Sequence, residues 1–137
     1  MKAVVVEEFG PPEALTIKDV TAPEIGPMDV LVDVACAGVG YVDGLLVQGL
    51  YQVKPPTPFI PGMELVGKVC AAGEESGFNV GDRVAAITSV GAFAEKVKAH
   101  KNVVMPVPPQ ADGPELTALM CGYGTAHHAL KQRAQLK

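Results

Sequence analysis

The chain lacks every spacing that makes cysteines into a scaffold. Cys36, Cys70 and Cys121 are sparse and odd in number, and no CxxC or CxH pair occurs. That excludes a disulfide framework and a structural zinc lobe, and unpaired thiols imply a reducing compartment, the cytoplasm. Positive charge is not in excess either: 11 Lys+Arg against 15 Asp+Glu leave a net charge of −4. A nucleic-acid binder needs a basic face to displace counterions from phosphate, so nucleic acid is disfavoured as a partner. No apolar run approaches the roughly 20 residues that cross a bilayer, so no membrane partner is expected. The opening run Ala3-Val4-Val5-Val6 is cut by Glu7-Glu8, too short for a secretory leader. Charged residues are few, 19 % against 48 % hydrophobic, which is the balance of a packed core and not of a disordered tail. At 137 residues the chain has room for one such core and not for two full domains.

What is abundant is punctuation. Fifteen glycines and twelve prolines divide the chain into short segments, which argues against a helical bundle. Strands are predicted over 2–8, 15–20, 29–37, 65–70, 83–88, 93–97 and 103–106, with turn signals between them. The span 29–37 is the clearest, with Val30, Val32 and Val34 alternating inward and Cys36 on the same face as a small buried hydrophobe. Residues 41–47 read as a short helix with Asp43 in its first turn. Pro55, Pro56, Pro58 and Pro61 keep 49–61 irregular. The tail changes period: Leu116, Leu119, Met120 and Tyr123 recur at helical spacing. The expected class is mainly β, a partly open barrel with short helices and a C-terminal helical segment.

Few residues carry chemistry. The histidines His100, His127 and His128 form no ligand set, since adjacent residues on a helix point about 100° apart. Gly122-Tyr123-Gly124 begins like a dinucleotide loop but has His at 127 and follows helix instead of strand, so it reads as a helix break. The irregular stretch 38–64 holds Tyr41, Asp43, Tyr51 and Glu64, and such loops on a β scaffold are where sites lie. Asp43 serves either as a general base or as a helix cap. Glu64, where the chain re-enters a strand, is placed to accept hydrogen bonds from loop amides.

In order along the chain, these segments resemble a known family. Met1-Lys2-Ala3-Val4-Val5-Val6 with Phe9-Gly10-Pro11-Pro12, Ala37-Gly38-Val39 with Asp43, Pro61-Gly62-Met63-Glu64 with Gly67, Gly81-Asp82-Arg83-Val84, Gly91-Ala92-Phe93-Ala94-Glu95 and Gly124-Thr125-Ala126 are similar to the N-terminal, GroES-like catalytic domain of the medium-chain dehydrogenase/reductases. The nearest branch in character is that of the zinc-independent quinone oxidoreductases. The resemblance implies a GroES-like barrel over 1–110 and, over 111–137, a helical hinge leading to a Rossmann domain beyond this chain. It implies NADPH as cofactor of a longer parent, with Thr125 approaching the nicotinamide and the main dinucleotide site elsewhere. It implies a quinone or enone substrate in a pocket of Gly40, Tyr41, Leu45, Tyr51 and Met63, with Asp43 and Glu64 as structural neighbours.

The departures sharpen that picture. Zinc-dependent members carry Cys where this chain has Gly40 and His where it has Met63. Glycine offers no ligand and a thioether is a poor one for Zn²⁺, so no metal is expected. Quinone reductases usually carry Asn at the position of Gly40 and often Tyr at that of Leu45, which implies a more apolar pocket here. The chain is thus expected to be a piece of a longer reductase, inactive alone, whose exposed C-terminal helix promotes self-association. The alternative is a stand-alone binding module that shares the barrel, of the kind that forms chaperonin-cofactor rings.

Overall fold

Alternating valines and frequent turn residues produce a chain of short strands. A computed structural model describes all 137 residues, Met1–Lys137. Its elements are β1 (Lys2–Val5), β2 (Thr16–Asp19), β3 (Asp29–Gly38), α1 (Tyr41–Val47), β4 (Glu64–Ala72), β5 (Arg83–Ile87), β6 (Lys96–His100), β7 (Val104–Pro106) and α2 (Gly113–Ala118). Five strands form one antiparallel sheet in the order β6-β3-β4-β5-β7, and β1 pairs with β2. The sheet curls around Val30, Val32, Leu65, Val69, Val84, Ala86, Ala92, Val97, Ala99 and Val104, all buried. Each fully buried Val or Leu in such a core contributes about 1.5–3 kcal/mol. The mainly β, partly open barrel of the sequence reading is therefore the observed architecture.

Four local expectations need correction. Cys36 does not share the face of Val30 and Val32. The β3–β4 register shifts between Val34 and Cys36, so that Val34 faces Gly67 and Cys36 faces Val66. One extra residue in a strand of period two sends the following side chains to the opposite face. Ala37 joins the core instead, and Cys36, half-buried, lies under Gly113 of α2. The strand predicted over 93–97 is displaced to Lys96–His100. Residues 92–95 hydrogen-bond β1 and the Pro61-Gly62 turn, and the chain changes partner to β3 only at Glu95–Lys96. The alternation over 15–20 buries neither face of β2, and Ile17 is 71 % exposed.

The fourth correction concerns the tail. Gly122 and Gly124 do not break it. Residues 113–133 run on as helical turns without interruption, with wider π-type turns at Leu119–Tyr123 and His128–Arg133. Flanking residues keep right-handed helical angles, Gly124 at φ −58 and ψ −45. The stripe that meets the barrel is also rotated from the apolar one. Gly113 and Thr117 are buried and Leu116, Met120 and Cys121 half-buried, so Leu116 and Met120 of the apolar stripe meet the barrel, whereas Leu119 is exposed and Tyr123 is 70 % exposed.

A second small cluster fixes the irregular loop. Val6, Val47 and Phe59 pack together. Val6 and Phe59 exchange backbone hydrogen bonds at 2.9 and 3.1 Å, and the Gly10 amide donates to the Val47 carbonyl at 3.1 Å. These contacts tie α1 and the Pro-rich segment to the N-terminal strand. No helix is long and apolar enough to cross a membrane.

Candidate functional site

The site is built where three glycines let backbone and carboxylates approach. At Gly38, the end of β3, an added Cβ would overlap Oε1 of Glu64 and stand 2.8 Å from its Cδ. The absence of a side chain there lets the Glu64 carboxylate lie across the strand. Gly40 is extended (φ −114, ψ 170) and caps α1. Its N–H donates to Oδ2 of Asp43 at 2.8 Å, so Asp43 closes the first helical turn from its third position. Gly62 has φ +98, and a Cβ on it would stand 2.7 Å from the Phe93 amide nitrogen, which leaves glycine as the residue that fits. The carbonyl of the next residue, Met63, accepts a hydrogen bond from the Thr88 amide at 2.7 Å.

Asp43 and Glu64 are both buried, 5 % and 8 % exposed. Burial is the main force holding the Asp43 carboxyl above its ordinary value of 3.8. The amide of Gly40 opposes it, the charge of Glu64 adds to it, and the amide of Gly62 opposes it more weakly. The other oxygen, Oδ1, is buried with no hydrogen-bond partner. Glu64 accepts a hydrogen bond from the Cys121 amide at 3.0 Å, across 57 residues of sequence. Burial pushes the Cys121 thiol up to about 11, with Glu64 and then Asp43 adding to the effect. A thiol so placed is a neutral donor and a poor nucleophile.

The pocket residues singled out in the sequence divide into two groups. Gly40, Asp43, Met63 and Glu64 are drawn together by the contacts above. Met63 is half-buried and lines a cavity of about 430 Å³ with Ile87, Thr88, Ser89, Val90 and His100. Tyr41, Leu45 and Tyr51 do not line that cavity. Tyr41 is 82 % exposed at the start of α1. Leu45 and Tyr51 are half-buried, and the Leu45 carbonyl accepts the Leu50 amide at 2.9 Å. Thr125 is exposed, four residues beyond Cys121. Of the histidines, His100 caps a turn by accepting the Asn102 amide through Nδ1, and His128 Nδ1 lies 2.6 Å from Gln132 Oε1.

Two participants carry no sequence signal for their place. Cys121 has no charged neighbour along the chain, and its approach to Glu64 depends on how α2 docks. Arg83 belongs to a motif, yet its work is tertiary. Its Nη1 donates to the carbonyls of Pro108 at 2.9 Å, Pro109 at 2.9 Å and Ala111 at 2.6 Å, holding the connection into α2.

This geometry has close counterparts among known proteins. The alcohol dehydrogenase GroES-like domain family matches residues 26–109. Quinone oxidoreductase-like protein 2 of Rattus norvegicus is 36 % identical over 137 residues, which is 99 % of this chain and 39 % of that protein. A crystal structure of a probable oxidoreductase from Mycobacterium abscessus superposes with a TM-score of 0.92 at 42 % identity, covering 100 % of this chain and 44 % of the other. The quinone oxidoreductase of Thermus thermophilus, also solved in complex with NADPH, gives 0.85 at 34 % identity, covering 100 % and 42 %. The chain therefore spans about two-fifths of the length of the relatives it matches.

Proposed function

The chain belongs to the alcohol dehydrogenase GroES-like domain family, in the quinone oxidoreductase-like branch of the medium-chain dehydrogenase/reductases, and from that premise we propose that it is the substrate-side domain of an NADPH-dependent, zinc-independent reductase of quinones or enones. The observation that carries this reading is similarity along the whole chain to quinone oxidoreductases more than twice as long. The residues present do not fit a dinucleotide on their own. Gly122 and Gly124, the only glycines resembling a phosphate loop, lie inside helical turns and not between a strand and a helix. NADPH thus belongs to the parent protein, where it supplies the hydride, and Thr125 on the exit helix is the residue of this chain assigned to approach it.

The chain's own part is to hold the substrate. Met63 contributes an apolar wall with Ile87 and Val90, and the Thr88 and Ser89 hydroxyls beside them can donate to a carbonyl oxygen. Leu45, Tyr41 and Tyr51 stand outside that cavity and are kept as pocket residues by the family resemblance alone. Gly40 has no side-chain donor and Met63 offers a thioether, a donor set that does not suit Zn²⁺. Asp43 and Glu64 act structurally, one capping α1 and the other bonding the exit helix. The three cysteines are free, in keeping with a cytoplasmic setting.

Calorimetry and turnover assays test the proposal together. The 137-residue chain should bind NADPH no tighter than millimolar and reduce no quinone. Fused to the remaining length of the Thermus thermophilus enzyme, it should oxidise NADPH when a quinone or an enone is supplied. A one-to-one micromolar NADPH complex of the chain alone, or a folded fusion without turnover, refutes it.

A further inference from the structure

The exit helix touches the barrel over only part of its length. Its buried or half-buried positions end at Cys121, and every residue from Gly122 to Lys137 is exposed. Three fasteners lie within the attached part. Arg83 grips the carbonyls of Pro108, Pro109 and Ala111 just before the helix. Gly113 packs against Cys36 and Val66, where an added Cβ would stand 2.7 Å from the Cys36 sulfur. Glu64 takes the Cys121 amide at 3.0 Å. The first two secure the entry. Beyond the entry, Thr117 is buried and Leu116 and Met120 are half-buried, and Glu64 adds the polar fastening furthest along, eight residues past Gly113 and about 12 Å along the axis at 1.5 Å per residue. It does so within a π-type turn, where the ordinary i→i−4 ladder is interrupted.

We propose that Glu64 is a positioning residue, whose carboxylate, admitted by the bare Gly38, fastens the exit helix to the pocket wall and thereby sets where Thr125 stands relative to Met63. Glu64 directly follows Met63 in the chain, and Thr125 lies one helical turn past Cys121. The residue adjoining the pocket is thus also the one that orients the segment leading out of the domain. A shift of a few degrees at Cys121 moves everything beyond it, which in a hydride-transferring parent changes the distance between the reacting atoms. The assignment of Thr125 and Met63 to those atoms rests on the function proposed above; the fastening itself does not.

Amide exchange and residual dipolar couplings of the 137-residue chain in solution test this without substrate or cofactor. In Glu64→Ala, the Cys121 amide and its neighbours should exchange at least about tenfold faster, as expected when a hydrogen bond to a charged acceptor is lost. Couplings of amides 122–127 should shrink relative to those of the barrel, while Val32, Leu65 and Val84 keep their protection. Gly38→Ala, which displaces the carboxylate without removing it, should act in the same direction. Glu64→Gln keeps the shape with a weaker, neutral acceptor and should give a rise of about two- to fivefold. Unchanged exchange and couplings in the two alanine variants overturn the proposal. If neither of them folds, an unchanged Glu64→Gln overturns it. Because no step here involves turnover, an inactive fusion enzyme would leave this fastening standing, and a loose helix would leave the family activity standing.

Discussion

Replacing Gly67 by alanine should cost this domain a large share of its stability, whereas the same change at Gly44 should strengthen it. Gly67 is buried at the centre of β4 and pairs with Val34 at the β3 register shift. A Cβ there would overlap the Asp33 carbonyl oxygen, stand 2.7 Å from Cγ1 of Val32 and stand 3.0 Å from the Asp33 carbonyl carbon. Overpacking against movable side chains costs about 1–3 kcal/mol. Here the main obstacle is backbone, and β3 cannot retreat, being paired to β4 on one side and β6 on the other. Loss of one or two ladder hydrogen bonds adds about 1 kcal/mol each. The expected penalty is at least about 3 kcal/mol, from a total of roughly 5–15. For a chain of this size that lowers Tm by about 10 °C. Gly44 is the opposite case. It lies inside α1, and nothing stands within 4 Å of an added Cβ. Alanine there should gain about 0.5–1 kcal/mol of helix propensity, raising Tm by about 2–4 °C. Urea unfolding followed by circular dichroism, with calorimetric Tm, measures both. A Gly67→Ala protein within about 1 kcal/mol of the native one, or a Gly44→Ala protein that is destabilised, would refute the packing argument.

Three further outcomes are expected. The raised Asp43 carboxyl favours folding fully below its ordinary value of 3.8, and that contribution is lost as pH rises through the raised value. Asp43→Asn, which cannot ionise, should therefore flatten the dependence of the urea midpoint on pH above about pH 4; a native slope would contradict this. Cys121, moved from 9.0 to about 11, should hold about a hundredfold less thiolate at pH 8 than an unperturbed cysteine. Iodoacetamide labelling followed by peptide mass spectrometry should find it the slowest of the three thiols, and faster in Glu64→Gln. Leu119, Tyr123, Leu130 and Leu136 lie exposed along the C-terminal segment and should drive concentration-dependent association. Sedimentation velocity should show it, and Leu130→Lys should weaken it; a strictly monomeric chain at millimolar concentration would speak against it.

Much of the architecture is legible in the chain because it depends on near neighbours. The valines of β3, the prolines of 49–61 and the capped start of α1 act within a few residues. Sequence and structure part where distant partners decide. The register shift that turns Cys36 away from Val32 is set by pairing with β4, and no alternation in β3 announces it. Gly122 and Gly124 have the character of breakers, but glycine costs a helix only about 1 kcal/mol relative to alanine, and the helix runs through both. The docking stripe differs from the apolar one for a related reason. Apolar period identifies a helix, yet the face that docks is the one narrow enough to approach, with Gly113 against Cys36 and Val66.

At the site the division is similar. Asp43 and Glu64 stand out as carboxylates in a Gly/Pro-rich stretch, and the motif around Met63 points to the family. By itself the sequence determined the class of fold and the family it belongs to, because composition, turn residues and ordered motifs are properties of the chain. Only the tertiary structure decided which face Cys36 takes, that Asp43 is left with an unpartnered oxygen, and that Glu64 reaches Cys121. Those are contacts between segments brought together by the fold, and they exist only once the sheet has curled and the exit helix has docked on it.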